Sequence, residues 1–321
     1  MNKRQRVMDA VNGGTPDRVP AGFWLHFPGG YEAGEKAVQI HLDFFNKSGT
    51  DLCKVMNENS LPDLPQLKNA EDWGKLEPIP HDAPFIQRQL ELVHRVCQEG
   101  AGEAVVLATI HGMVASAFHY LGGGALYDND KLALTRHFRE NPEAFHHGME
   151  IIADYLDYLC GACLEAGADG LYFASLGGEI AMMTDAEFEE FFKPYEVNLL
   201  KKYDAAAPCF NVLHMCKDHL NLARYLGYPT KVINWGVYEG NLSLTQGAAL
   251  FGPGHILLGG LDDRAGVLVD GTLEQITEAV HAVLDEMGTR NFILGADCTL
   301  PTDIALARIA GAVEATGTYR A

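Results

Sequence analysis

The sequence has no long hydrophobic run. Its longest apolar stretches, 104–110 and 256–261, are strand-sized, far short of the ~20 residues a membrane helix needs. The basic start, 1–13, runs into Asp9 and Asn12 with no apolar core behind it, so no signal peptide is expected. Positive charge is scarce: 24 Lys and Arg stand against 43 Asp and Glu, for a formal net charge of −19. Without a basic patch such a chain repels nucleic acid and anionic membrane surfaces, and neither is expected as a partner. Low-complexity stretches and dividing linkers are also missing. The seven cysteines (53, 97, 160, 163, 209, 216 and 298) are odd in number and scattered through apolar segments. That excludes a disulfide framework and suits a reducing, cytoplasmic setting.

What is present is a large apolar fraction, 47% of 321 residues. This is enough for one sizeable core and excludes disorder. Short apolar runs alternate with longer amphipathic ones. The runs at 19–26, 52–56, 104–111, 170–175, 209–216, 231–237, 256–261 and 291–298 read as strands. Helical patterns cover 35–48, 84–99, 141–166, 184–206, 217–226, 243–251 and 273–287, with 3–11 before the first strand and 304–316 closing the chain. Thr184 with Glu187 and Thr272 with Gln275 mark two helix starts as capping boxes. Eight strand–helix units predict an α/β fold, a single-domain (β/α)8 TIM barrel over 1–321. The structural alternative, a doubly wound open sheet, lacks the glycine fingerprint expected after its first strand. In such a barrel chemistry belongs at the C-terminal strand ends, and the irregular stretch 57–81 is a long loop at that end.

At those ends one constellation stands out. The fifth strand finishes Asn211-Val-Leu-His214-Met-Cys216, and residues two apart share a face, so His214 and Cys216 point the same way. The eighth finishes Gly295-Ala-Asp-Cys298, bringing a third donor to the same rim. One imidazole and two thiols suit tetrahedral Zn2+ with an open fourth position. Taken alone, His-x-Cys more often describes buried core residues; Cys298 is what favours a metal. Glu179, after the fourth strand, and Glu239, after the sixth, are candidates for a fourth, displaceable ligand, with Glu179 placed first. Asn211, Asn234 and Asp262 are candidates to orient the imidazole. Trp24, His26, Glu58, His111, Tyr172 and Ser175, at or just past strand ends, are candidates for a substrate pocket. Such a pocket implies a small, weakly charged substrate. Cys160-Gly-Ala-Cys163 falls inside a helical pattern and reads as packing.

The chain resembles the superfamily of uroporphyrinogen decarboxylase, the methylcobamide:coenzyme M methyltransferases and the zinc domain of methionine synthases. The likeness rests on Gly13-Gly-Thr-Pro-Asp-Arg-Val-Pro20, Glu165-Ala-Gly-Ala-Asp-Gly170, the segment from Thr184 to Tyr195, and Gly259-Gly-Leu-Asp262. It implies a (β/α)8 barrel. The decarboxylases carry an arginine-rich segment after the first strand, where this chain has Phe23-Trp-Leu-His-Phe-Pro-Gly-Gly30. Their catalytic aspartate after the second strand is replaced by Met56-Asn-Glu-Asn59. Without arginines a polycarboxylate has no bidentate partner. The His-x-Cys…Cys pattern instead resembles the zinc methyltransferases. That resemblance implies methyl transfer between a small thiol, ether or amine and cobalamin carried by a partner corrinoid protein, in either direction. A porphyrin-type decarboxylase, a zinc lyase or hydrolase, and a non-catalytic binding barrel are the alternatives. An oligomer is compatible with the sequence.

Overall fold

The computed structural model describes residues 1–100 and 102–320. Eight parallel strands form its centre: β1 (Ala21–Gly22), β2 (Leu52–Val55), β3 (Val105–His111), β4 (Gly170–Ser175), β5 (Val212–Met215), β6 (Val232–Trp235), β7 (Ile256–Leu261) and β8 (Phe292–Ala296). Their order is β1-β8-β7-β6-β5-β4-β3-β2, the expected (β/α)8 barrel. Every predicted strand is present, most of them trimmed at the ends. The first shrinks to two residues; at its start Pro20 has no N–H to give to the ladder.

The short β1 leaves a seam against β2, and Asp51 closes it. Its N–H donates to the Ala21 carbonyl at 2.7 Å, and Ala21 N–H donates back to the Asp51 carboxylate at 2.8 Å. That carboxylate also receives Arg6 at 2.7 Å and Arg18 at 2.8 and 3.0 Å. The Thr15–Pro20 segment is therefore structural: Asp17 and Arg18 tie the chain's start to the bottom of the barrel. Asp169 does the same beside β4, taking Arg4 in a fork at 2.6 and 2.7 Å. Gly170 next to it has no substitute, since a Cβ there would lie 1.9 Å from the Phe210 carbonyl oxygen. Above these ion pairs Val7 and Val11 of the helix Lys3–Val11 plug the barrel. They pack with Leu52, Val105, Leu107, Tyr172, Val212, Val232 and Leu258 inside it.

The outer layer departs from expectation in several places. The pattern at 184–206 breaks at Phe192 into Asp185–Phe191 and Lys193–Asp204, since Pro194 cannot continue a helix. The stretch 217–226 is not an α-helix. Lys217 and His219 have positive φ, and only the 3-10 turn Leu222–Tyr225 forms. Three helices between β3 and residue 141 were not predicted: Met113–Leu121, Gly123–Asn129 and Ala133–Glu140. The first is buried almost all round, so it carries no amphipathic period. Both predicted capping boxes form, at Thr184 and Thr272. Among the described residues no helix is long and apolar enough to cross a membrane.

Glu196, just past the Thr184–Tyr195 segment, is fully buried beneath the C-terminal end of β4. It accepts from Met113 N–H (2.9 Å), the Ser175 hydroxyl (2.7 Å) and the Tyr228 hydroxyl (2.9 Å). Burial outweighs these donors and pushes its carboxyl up to about 7. A carboxyl raised in the fold holds its proton where the unfolded chain has lost it. Stability therefore falls as pH rises from ~4.5 to ~7, by about 3 kcal/mol from this group. Glu196→Gln should flatten that slope relative to wild type in urea unfolding at a series of pH values. Parallel curves would contradict it.

Candidate metal centre

β5 and its extension project His214 and Cys216 toward the barrel mouth, and the turn after β8 brings Cys298 to them. The three donor atoms lie within 4.8 Å of one another. The two sulfurs are 3.8 Å apart, and Cys298 Sγ is 3.3 Å from His214 Nε2. Tetrahedral zinc, with bonds of ~2.3 Å to sulfur and ~2.0 Å to nitrogen, requires about 3.8 and about 3.5 Å for those separations. The donor set and its spacing fit the ion.

The imidazole is held by a neighbour in register. His214 pairs with Asn234 across β5 and β6, and Asn234 Oδ1 is 2.6 Å from His214 Nδ1. The Asn234 amide NH2 donates to the carbonyls of Leu258 (2.8 Å) and Ala296 (3.2 Å). That leaves only its oxygen for the histidine, so Nδ1 carries the proton and Nε2 presents its lone pair beside the thiols. The Tyr172 hydroxyl donates to the same Oδ1 at 3.1 Å. Asn234→Ala should weaken zinc affinity about 10- to 100-fold, as loss of an orienting partner does elsewhere. Competition against a chromophoric chelator measures this, and an unchanged affinity would sink the assignment.

The two thiols share a proton unequally. The hydrogen bond from Cys216 holds Cys298 well below the usual thiol value, whereas the same bond and burial push Cys216 up. Cys298 is thus the thiolate of the pair. Elsewhere burial is the main cause: Cys53, Cys97 and Cys163 are pushed up to about 12, so these thiols stay protonated. Cys160 and Cys163 lie buried in the helix Pro142–Glu165.

A cavity of about 250 Å3 opens onto the three donors. Of the pocket candidates, Trp24, His26, His111 and Tyr172 line it. Glu58 stands behind His26, 2.8 Å from its Nδ1. Ser175 is turned away to Glu196. Asn211 lies at the N-terminal end of β5, where it accepts from Leu171 N–H at 2.8 Å, far from the rim. Asp262 caps its own turn by accepting from the N–H groups of Arg264 and Ala265. Glu179 is buried and takes the Tyr127 hydroxyl, outside the converging donor group. Burial and then the Cys298 charge raise the Glu239 carboxyl, opposed by His214.

Sequence reading passed over Lys54, Thr109 and His119, which also line the cavity. For Lys54 a signal was there. It shares strand parity with Leu52 and Met56, both in the interior cluster, so its side chain had to enter the barrel.

The family model of uroporphyrinogen decarboxylase (URO-D) matches residues 49–319. Among the curated proteins none matches. Two solved structures share the fold. A methyltransferase from Methanosarcina mazei is 16% identical, with 99% of each chain covered and a TM-score of 0.71. A B12-independent methionine synthase from Shewanella sp. W3-18-1, in complex with selenomethionine, is 11% identical, with 94% of this chain and 97% of that chain covered and a TM-score of 0.56.

Proposed function

Because the chain belongs to the uroporphyrinogen decarboxylase family, we propose that it is a zinc-dependent methyltransferase on that family's barrel. It would move a methyl group between a small substrate and cobalamin carried by a partner corrinoid protein. The observation that supports this reading is the convergence of His214 Nε2 and two thiols on the floor of a small cavity. Bound there, zinc would lower the pKa of a substrate thiol, or act as a Lewis acid on an ether oxygen.

The chain's own residues supply the rest. Cys216 and Cys298 neutralise a divalent ion, and Asn234 fixes the imidazole. The cavity leaves the fourth position to substrate. Of the two candidate carboxylates for that position, Glu179 accepts from the Tyr127 hydroxyl outside the converging donor group, which leaves Glu239 as the one that would occupy it before substrate arrives. Trp24 and Tyr172, in edge contact at 4.8 Å, form an apolar wall that excludes water from the reacting groups.

Porphyrin decarboxylation receives no support from this geometry. No arginine lines the cavity, and about 250 Å3 is below the ~300–1,000 Å3 of ordinary ligand pockets, too small for a tetrapyrrole. Incubating the zinc-loaded protein with methylcobalamin and a short thiol tests the reading. The methyl–cobalt absorbance should decay in a zinc-dependent way. Decay without metal dependence, or formation of coproporphyrinogen from uroporphyrinogen, would contradict it.

A further inference from the structure

A thiol that attacks a methyl group must first lose a proton, and the metal itself cannot take it. Few groups on the cavity wall can. Four histidines and two lysines line it. His214 is committed to Asn234 and to the converging thiols. Burial holds His111 well below the usual histidine value and His119 at about 4, so neither ring keeps a proton at neutral pH. Burial lowers Lys54 to about 8 against the opposing charges of Cys298, Glu58 and Cys216, which leaves it mostly a cation and not a base. Lys217 has Asp128 at 3.8 Å. His26 remains.

Two features set His26 apart from the other three. It lines the cavity, yet its side chain is 53% exposed, so the ring joins the cavity to bulk water. It also has a carboxylate partner: Glu58 Oε1 lies 2.8 Å from Nδ1. A carboxylate only accepts, so Nδ1 carries the proton of the neutral ring and Nε2 keeps its lone pair. Both members are anchored from behind. The His26 carbonyl accepts from the Thr302 hydroxyl at 2.9 Å, and Leu25 before it bridges Leu300 in the chain after β8. Glu58 sits between two buried asparagines. The Asn57 amide donates to the Thr109 carbonyl at 3.4 Å, and the Asn59 amide to the Glu32 carbonyl at 2.7 Å. A pair this exposed adds little to stability, so the fold does not depend on it.

We infer that His26 is the base that takes the substrate's proton, and that Glu58 positions its ring and stabilises the imidazolium that forms. This rests on the methyltransferase reading and adds a proton path to it. The S–H bond of the thiol breaks as an Nε2–H bond forms, and the electron pair stays on sulfur for the methyl carbon. The proton then leaves from the exposed ring to water. In the opposite direction the same imidazolium returns a proton to the heteroatom that has lost its methyl group. The arrangement of carboxylate, imidazole and substrate proton follows the logic of a catalytic triad, with the substrate in the place of the serine.

Stopped-flow absorbance on the cobalt(II)-loaded protein tests this without cobalamin, and so apart from the methylcobalamin assay. Mixing with 2-mercaptoethanol should add a sulfur-to-cobalt charge-transfer band as the thiol loses its proton. In His26→Gln the band should reach the same amplitude about 100-fold more slowly, the lower end of what general acid–base catalysis contributes. The variant's rate should rise with Hepes concentration, as an outside base replaces the missing one, while the wild type's should not. Glu58→Gln should slow the same step less, at unchanged amplitude. A His26→Gln rate equal to wild type, a slow rate indifferent to Hepes, or a lost amplitude would overturn the role of His26 and leave the metal centre standing. A Glu58→Gln rate equal to wild type would overturn the positioning role. A wild type that takes up no cobalt, or takes it up and binds no thiol, would overturn the methyltransferase reading and this inference with it.

Discussion

Asp51→Ala is expected to destabilise the fold by about 3–5 kcal/mol, the cost of removing one member of a buried charge network. The carboxylate is fully buried and serves three partners: Ala21 N–H, Arg6 and Arg18. Alanine removes the acceptor that takes the place of a ladder bond at the β1–β2 seam. It also leaves Arg18 without a carboxylate, while Arg6 keeps Asp17. Asp51→Asn should cost less, since its side-chain oxygen can still accept from Ala21 while only the charge is lost. Urea unfolding reads this as a lower midpoint at unchanged slope. A loss below about 1 kcal/mol would mean that the seam is held by the outer helices instead.

The second large effect is expected at the barrel mouth and should leave the fold alone. Cys298→Ala and Cys216→Ala each delete one of three protein donors, so zinc affinity should fall by more than the ~100-fold upper end expected at Asn234. These thiols lie at the rim beside the cavity, and their loss opens no core void. The metal-free variants should therefore unfold like the metal-free wild type. Zinc in large excess over its dissociation constant should then stabilise the wild type, by about 4 kcal/mol at 1,000-fold excess. At the same zinc concentration each variant should gain at most about 1.4 kcal/mol. A stabilisation by zinc as large as the wild type's in both would place the metal elsewhere.

Much of this was legible in the sequence because the barrel repeats one rule eight times. Apolar runs of strand length followed by amphipathic ones gave the strand count, and strand parity paired His214 with Cys216. The same parity argues against Asn211, an odd number of residues from His214, as an orienting partner; the structure puts it at the opposite end of β5. Asn234 was found by its place at a neighbouring strand end. What sequence could not show is the register that sets it beside His214, because register comes from the closure of the whole sheet. The helices between β3 and residue 141 were missed because a helix buried on every side loses the periodicity that reveals it. Glu196 was invisible for a related reason: its three donors come from β4, from the helix after β3 and from the chain before β6, far apart in sequence.

The segments that carry the family likeness also divide by face. Those around Asp17, Arg18 and Asp169 hold the bottom of the barrel closed. The proposed metal donors lie at the top, in the two strand ends that bear His214, Cys216 and Cys298. Such a division explains how one family model can match most of the chain while the cavity lacks the arginines a porphyrin would need.

X-ray absorption at the zinc edge of the metal-loaded protein tests the central claim most directly. Two sulfur neighbours at about 2.3 Å with nitrogen or oxygen at about 2.0–2.1 Å are predicted, rising to three sulfurs when a short thiol is added. A zinc shell without sulfur, or a protein that retains no zinc, would contradict the account.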